Sequence, residues 1–346
     1  MAEVAFTRCA QPTVTARRIS TYTVLGFTGY AVASVLGAVL AVRWDLTLGD
    51  RLIGFFVPPI AFILVVTVAT AIVGRERIVF YQTAYAGVLA VAGASALAGT
   101  HTARLVDLAT LGIGTFLVFG RLGCTAVACC HGTLGRGITY GPPHVAVGFF
   151  ARWSGRALWP VQLIEAAASL GLVIAGLACS AEPGAAAQLY IEGYATIRFA
   201  LELVRGDGAR PYLGGLSEAQ WLALTSAAAC AVWRPGPIAL APPVALALAA
   251  GVLFARRRRR ALVLPPHLLE LDRALDRARD GTRAETSLGV AVSGHALPDG
   301  RIDWVLSSSH PAWSPALAGR LARALWPSFE LVPGRTPGVI HVVAAQ

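Results

Sequence analysis

The run ARLVDLATLGIGTFLVFG, residues 103–120, passes without a break into RLGCTAVACCHG, residues 121–132, and the reading of that junction decides the fold. The apolar run approaches the roughly 20 residues that a bilayer core requires, so it reads as a membrane helix with an arginine at its mouth. A guanidinium there is costly to desolvate, and it usually faces a watery cavity or an anionic partner such as a lipid phosphate. Arg121 is therefore the first candidate functional residue.

Working outward, the same apolar texture recurs. Of the 346 residues, 55% are hydrophobic and only 14% charged, with mean hydropathy +0.61. Candidate spans lie near residues 22–42, 52–73, 78–98, 103–120, 160–179, 188–204, 218–232 and 238–255. The expected fold is an all-α polytopic membrane protein with about 7–8 transmembrane helices over residues 1–255. A basic linker and a small C-terminal α/β soluble domain follow over residues 256–346. Arg17 and Arg18 precede the first span, which is too long for a signal peptide and reads as retained. The net charge of +10 is carried by arginine, and the block 256–260 marks a cytoplasmic flank drawn to anionic lipid headgroups rather than to nucleic acid. These features predict a multi-pass protein of the cell inner (plasma) membrane with a cytoplasmic tail.

Two further stretches concentrate polar residues. WPVQLIEA, residues 159–166, puts Gln162 and Glu165 three apart on one helix face just inside a span, where an acid needs a cation or a proton. The sixth apolar segment carries Tyr194, Arg198, Glu202 and Arg205, at offsets that place all four on one helical stripe. Tyr81 and Tyr85 read as interfacial tyrosines. The six cysteines, Cys9, Cys124, Cys129, Cys130, Cys179 and Cys230, form no disulfide framework, and Cys179 and Cys230 read as small core residues. The spacing C-x4-C-C-H around Cys124, Cys129, Cys130 and His131 is not that of a structural zinc site, so no metal and no cofactor are expected. In the tail, helices near 267–279 and 315–325 and strands near 286–292, 302–307 and 339–344 are expected, with LPDG as a turn.

GRLGC at 120–124 with HG at 131–132, WPVQLIEA at 159–166, YATIRFALELVR at 194–205 with Asp207, and GLSEAQWLAL at 215–224 stand in an order and spacing that resemble the prolipoprotein diacylglyceryl transferases. The resemblance covers roughly residues 21–224 and leaves the tail outside. It implies an integral membrane enzyme that moves the diacylglyceryl group of phosphatidylglycerol onto a prolipoprotein cysteine thiol. By motif match, Arg121, Tyr194 and Arg198 look catalytic, as does Tyr81, which stands at the offset of the family's histidine. Tyr22, Gly123, Cys124, Gln162, Glu165, Glu202 and Arg205 match positions around the substrate. The family's asparagine is replaced by Cys124, and Cys129 and Cys130 are additional. The resemblance also implies an outward-facing signature loop.

That chemistry needs a thiolate and a way to neutralise a departing phosphate. Guanidinium forks match phosphate oxygens and stay charged in a low dielectric, so Arg121 and Arg198 are expected to converge on one headgroup. Candidate bases are Tyr81, His131 and His101. The expected partners are an anionic phospholipid and a prolipoprotein. The alternative function is a non-catalytic phospholipid-binding membrane protein whose tail recruits a partner. A transporter is disfavoured, since internal repeats and interrupted helix pairs are missing from the sequence.

Overall fold

The computed structural model describes residues 20–74, 79–208, 210–236 and 239–345, the side chains of Arg258 and Arg259 excepted. Cys9, Arg17, Arg18 and the connector residues 75–77 lie outside the described residues.

Each expected apolar segment is a helix. They are α1 Thr21–Arg43, α2 Leu48–Val73, α3 Phe80–Leu97, α4 Thr102–Ala126, α5 Val161–Ala178, α6 Ala185–Leu201, α7 Glu218–Trp233 and α8 Ala241–Ala255. Local chemistry sets several boundaries. Thr47 and Asp50 form a reciprocal capping box at the start of α2, Ser217 and Gln220 do the same for α7, and Gly74 ends α2 in the left-handed region. By length and composition α1, α2, α4 and α5 can cross a membrane, while α8 is apolar but shorter. Four helices among the described residues, not the seven to eight expected, are therefore long and apolar enough to span. α6 and α7 are short, at 17 and 16 residues: α6 ends and α7 begins where polar side chains gather at one end of the bundle.

At the centre is α4, which packs against α1, α2, α3, α5 and α6. Gly114 lets the Tyr190 ring of α6 lie directly on its backbone, where a Cβ would collide with the ring. Outward, Phe27, Ile60, Leu64, Val232 and Leu248 are exposed, the surface that hydrocarbon rather than water solvates.

The opposite ends of the bundle differ. At one end, Asp107 is fully buried and accepts from the backbone N–H groups of Gly184 and Ala187, at 2.7 and 2.8 Å, where α6 begins. Arg104 donates to the carbonyls of Ser180 and Ala181 beside it. At the other end lie the C-termini of α4, α6 and α8 and the N-termini of α1, α3, α5 and α7, and from that end the tail departs.

The connector after α4 is structured. β1 Leu134–Thr139 pairs antiparallel with β2 Ala157–Leu158. The tail adds α9 Pro265–Arg277, α10 Pro315–Leu325 and a five-stranded sheet. Ahead of α7, β3 Tyr212–Leu213 pairs antiparallel with β4 Leu216–Ser217. The sheet strands are β5 Ala284–Glu285, β6 Val290–Ala296, β7 Arg301–Ser308, β8 Phe329–Pro333 and β9 Val339–Ala345, in the order β5-β6-β7-β9-β8 with every pair antiparallel. The expected α/β tail is thus corrected to an antiparallel sheet with helices against it, an α+β arrangement. Its edge strand β8 escaped prediction because Glu330 and Pro333 interrupt the apolar alternation.

The tail does not hang free. Leu268, Leu271, Leu321 and Leu325 share one hydrophobic cluster with connector residues Ile138, Tyr140, Phe149, Trp153 and Leu158. Trp153 Nε1 donates to the Ala324 carbonyl at 2.8 Å, and Arg156 donates to the carbonyls of Ala324 and Arg323 at 3.0 and 2.6 Å. These are free carbonyls at the C-terminus of α10, where a cation is favoured. Arg152 forms an ion pair with Asp272 on α9. Signature loop and tail consequently occupy the same face. An outward-facing loop and a cytoplasmic tail, both expected from the sequence, are mutually exclusive in this fold.

Candidate active site

Four segments bring the site together. The end of α4 supplies Arg121, α5 supplies Gln162 and Glu165, α6 supplies Tyr194, Arg198 and Glu202, and the start of α3 supplies Tyr81. Backbone pairing ties the loop after α4 to the chain after α6. Gly132 and Arg205 form an antiparallel bridge, Thr133 N donates to the Val204 carbonyl at 2.7 Å, and Gly206 N donates to the His131 carbonyl at 2.9 Å. Gly132 and Gly206 are needed here because a Cβ on either would strike backbone of the opposing strand or of Trp159.

Glu165 is the hinge of the arrangement. It is 1% exposed, and its Oε2 lies 2.9 Å from Arg121 Nε and 3.4 Å from Arg198 Nη1. Its other oxygen accepts from the Tyr194 hydroxyl at 2.6 Å. Arg198 also meets Glu202 at 2.5 Å, one helical turn on. The sequence stripe thus converges as expected through Glu202. Arg205 departs from it, because α6 stops at Leu201 and the chain tightens through i−3 hydrogen bonds before it pairs with Gly132. Its guanidinium pairs with Asp207 and stands 3.9 Å from Glu202.

Four buried or half-buried guanidinium groups, Arg121, Arg198, Arg205 and Arg210, face three carboxylates, Glu165, Glu202 and Asp207. The network carries one surplus positive charge. Burial alone would raise Asp207, yet Arg205 and Arg210 hold it below the usual carboxylate range. Among the described residues, Arg198 Nε and Arg205 Nη1 are buried without a hydrogen-bond partner, and Arg121 Nε has only its ion pair with Glu165. Buried donors without acceptors are rare and invite an anionic ligand.

The remaining expected residues fall as follows. Gln162 donates to the Cys129 carbonyl at 2.9 Å and to the Tyr140 hydroxyl at 3.2 Å, so it holds the signature turn instead of facing the arginines. Tyr22, at the start of α1, lies against Gly123, where a Cβ would approach its ring to 3.0 Å. Cys124 is buried one turn beyond Arg121. Tyr81 is buried, its ring 5.5 Å from Tyr194 and 5.8 Å from Tyr85, so it is a core ring of the site wall and not an interfacial anchor. Tyr85 donates to the Leu222 carbonyl. Cys230 is buried as expected, whereas Cys179 is exposed, since α5 ends just before it.

The two histidines considered as bases are elsewhere engaged. His101 caps the far end of α4, with Nδ1 3.0 Å from Asp50, and the length of the helix separates it from Arg121. His131 is caged between the rings of Phe149 and Trp153, with Nδ1 on the Gly132 carbonyl, and burial lowers its pKa.

Two members of the site were not found by sequence reasoning. Arg210 donates to both Glu202 and Asp207, and its signal was the run G-D-G-A-R directly after the stripe. Tyr190 lies one turn before Tyr194, stacks on it at 5.9 Å and bonds to Ser169 at 2.6 Å. Its i−4 offset was the available clue.

The sequence model of prolipoprotein diacylglyceryl transferases matches residues 13–234, the whole of the helical bundle that carries this site up to the end of α7. A search of curated proteins finds no match to the chain. The match takes in every segment that supplies a residue to the arginine and carboxylate network and most of the chain's length. Together, the matched residues and the membrane-spanning helices assign the chain to the prolipoprotein diacylglyceryl transferase family, membrane-embedded proteins that act on lipid and lipoprotein substrates.

Proposed function

We propose that the protein transfers the diacylglyceryl group of phosphatidylglycerol, or of a similar anionic phospholipid, to the cysteine thiol of a prolipoprotein. The carrying observation is that Arg121 and Arg198 meet at Glu165 and that Arg198 Nε is left without a partner. In the reaction the acceptor sulfur attacks the glyceryl carbon that bears the phosphate. A C–S bond forms, the C–O bond breaks, and its electron pair leaves on a phosphate oxygen. The guanidinium of Arg121 and the unpartnered Nε of Arg198 are the donors this reading assigns to that oxygen as charge develops on it. Glu165 and Glu202 hold the two forks in place, Tyr194 is oriented by Glu165, and Tyr81 closes the wall behind Tyr194. On this reading Tyr22 and Gly123 lie at the mouth through which the lipid headgroup arrives, with Cys124 buried behind them.

On this reading the protein is a multi-pass enzyme of the plasma membrane, with the site mouth and the tail on one face. The five-arginine run pulls that face toward the cytoplasm, whereas the resemblance implies an outward one.

A second reading, a non-catalytic phospholipid binder whose tail recruits a partner, draws on one observation: a buried, ring-packed tyrosine stands where the family has its histidine. Purified protein in nanodiscs, given phosphatidylglycerol labelled in its acyl chains and a cysteine-bearing lipobox peptide, separates the two. Label appearing on the peptide supports the enzyme, and lipid binding without transfer supports the binder.

A further inference from the structure

The proposed reaction needs the acceptor sulfur as a thiolate, and both histidines near the sequence motifs are committed elsewhere. Next to Arg121 the fold assembles a different device. The sulfur atoms of Cys124, Cys129 and Cys130 all lie within 4.8 Å of one another, although the spacing C-x4-C-C resembles no structural zinc motif. All three thiols are free.

The convergence is built by the backbone. α4 ends at Ala126, and the chain then turns back through Ala128 and Cys130, both at φ 57, a left-handed conformation that non-glycine residues adopt at a cost. Neighbouring side chains in an extended segment point apart, and the left-handed bend at Cys130 is what allows the adjacent Cys129 and Cys130 sulfurs to face the same point as Cys124. Gln162 of α5 pins the turn through the Cys129 carbonyl. Exposure rises from buried Cys124 through half-buried Cys130 to exposed Cys129, so the cluster has a sealed side and an open one.

Resting on the transferase reading above, we infer that Cys124, Cys129 and Cys130 hold one thiophilic metal ion of the zinc class, with a fourth position open to the acceptor's cysteine. An all-sulfur donor set selects soft or borderline ions that favour four-coordinate tetrahedral sites, and a site with three protein ligands keeps one position for substrate. Loading the site breaks three S–H bonds, forms three metal–sulfur bonds and releases three protons to water. The acceptor thiol then binds as a fourth thiolate and loses its own proton, since a coordinating thiol is deprotonated outright. The site's excess negative charge lies beside Arg121, one turn away on α4. The metal-bound sulfur attacks the glyceryl carbon, the phosphate departs with the C–O electron pair, and the thioether product, a weak ligand, leaves the ion. The cluster thereby supplies the thiolate that the missing histidine does not.

The test is a Co(II) titration of the full-length protein, purified under reducing conditions in detergent, followed by absorption. The expected result is one Co(II) per chain with sulfur-to-cobalt charge-transfer bands, displaced by Zn(II), at least tenfold weaker binding in Cys124→Ser and in Cys129→Ser, and unchanged binding in Cys179→Ser. Addition of a cysteine-bearing lipobox peptide should shift the bands, and its serine counterpart should not. Absence of the bands, binding indifferent to the serine replacements, or a disulfide found within the cluster after purification overturns the inference. Circular dichroism matching the parent protein shows that the variants are folded, and the exposed Cys129 position keeps the test decisive should Cys124→Ser misfold. One Co(II) per chain with the peptide shift but no transfer of label sinks the transferase reading alone. Transfer at full rate in Cys129→Ser sinks the metal alone.

Discussion

Arg121 and Arg198, far apart in the chain, share a single carboxylate oxygen: Glu165 Oε2 lies 2.9 Å from the first and 3.4 Å from the second. Removing the charge of Glu165 leaves two buried cations without their common partner. Breaking a buried ion pair from one side costs about 3–5 kcal/mol. Glu165→Gln should therefore lower the detergent-solubilised melting temperature and abolish transfer, while Glu165→Asp, shorter but still charged, should recover part of both. Scanning fluorimetry and the labelled-peptide assay give the two readings. A Gln variant with parental stability and rate would mean that the carboxylate positions nothing.

The docking of the tail on the signature loop makes a topological prediction. Single cysteines introduced at Val147 in the connector and at Asp299 in the β6–β7 turn, both exposed, should react from the same side of the membrane with an impermeant maleimide. Labelling from opposite sides would contradict the contact between Trp153 and Ala324 and the shared cluster beneath it.

That contact is also a stability prediction. Trp153 is 2% exposed and joins connector to tail through both packing and its indole N–H. Large-to-small replacement of a buried tryptophan costs about 3–5 kcal/mol. In Trp153→Ala, limited proteolysis should release the tail from the bundle much faster than in the parent. Equal digestion rates would show that the tail is held by other means.

A pH effect follows from His267, whose two ring nitrogens meet the Leu262 carbonyl at 2.7 Å and the Thr286 hydroxyl at 3.0 Å. Burial lowers its pKa below the ordinary 6.5, so the folded tail prefers the neutral ring. The unfolded ring takes up a proton near 6.5, hence below that value the unfolded state binds more protons and stability falls with pH until the folded value is passed. The stabilisation is complete above the ordinary value. Denaturation followed by Trp304 and Trp326 fluorescence should give a lower midpoint at about pH 5.5 than at about pH 7.5, and His267→Gln should shrink that difference. A midpoint that rises on acidification would reverse the sign of the argument.

Much of this was legible in the residues because membrane helices announce themselves by length and apolarity, and because the stripe Tyr194, Arg198 and Glu202 needs only helical geometry to fall on one face. Glu165 was visible as an acid out of place, but that it bridges both arginines depends on how α4, α5 and α6 cross. Arg205 was misplaced by one turn because nothing local marks the end of α6 at Leu201; the halt is imposed by pairing with Gly132. The cysteines around Cys124 were noticed, but the convergence of their sulfurs was not legible for a related reason: spacing describes ligands on regular elements, and Cys130 reaches its neighbours through a left-handed turn. The union of connector and tail lay beyond a local reading, since its aromatic residues look like ordinary loop content until α10 offers Trp153 and Arg156 its carbonyls.

The most direct measurement is made in cells depleted of their own diacylglyceryl transferase and supplied with this chain and a reporter prolipoprotein, the lipid modification being read by mass spectrometry. The account predicts a diacylglyceryl thioether on the reporter cysteine with the parent chain, and none with Arg121→Ala or Arg198→Ala present at equal abundance. An unmodified reporter with the parent chain, or modification that survives both substitutions, would contradict it.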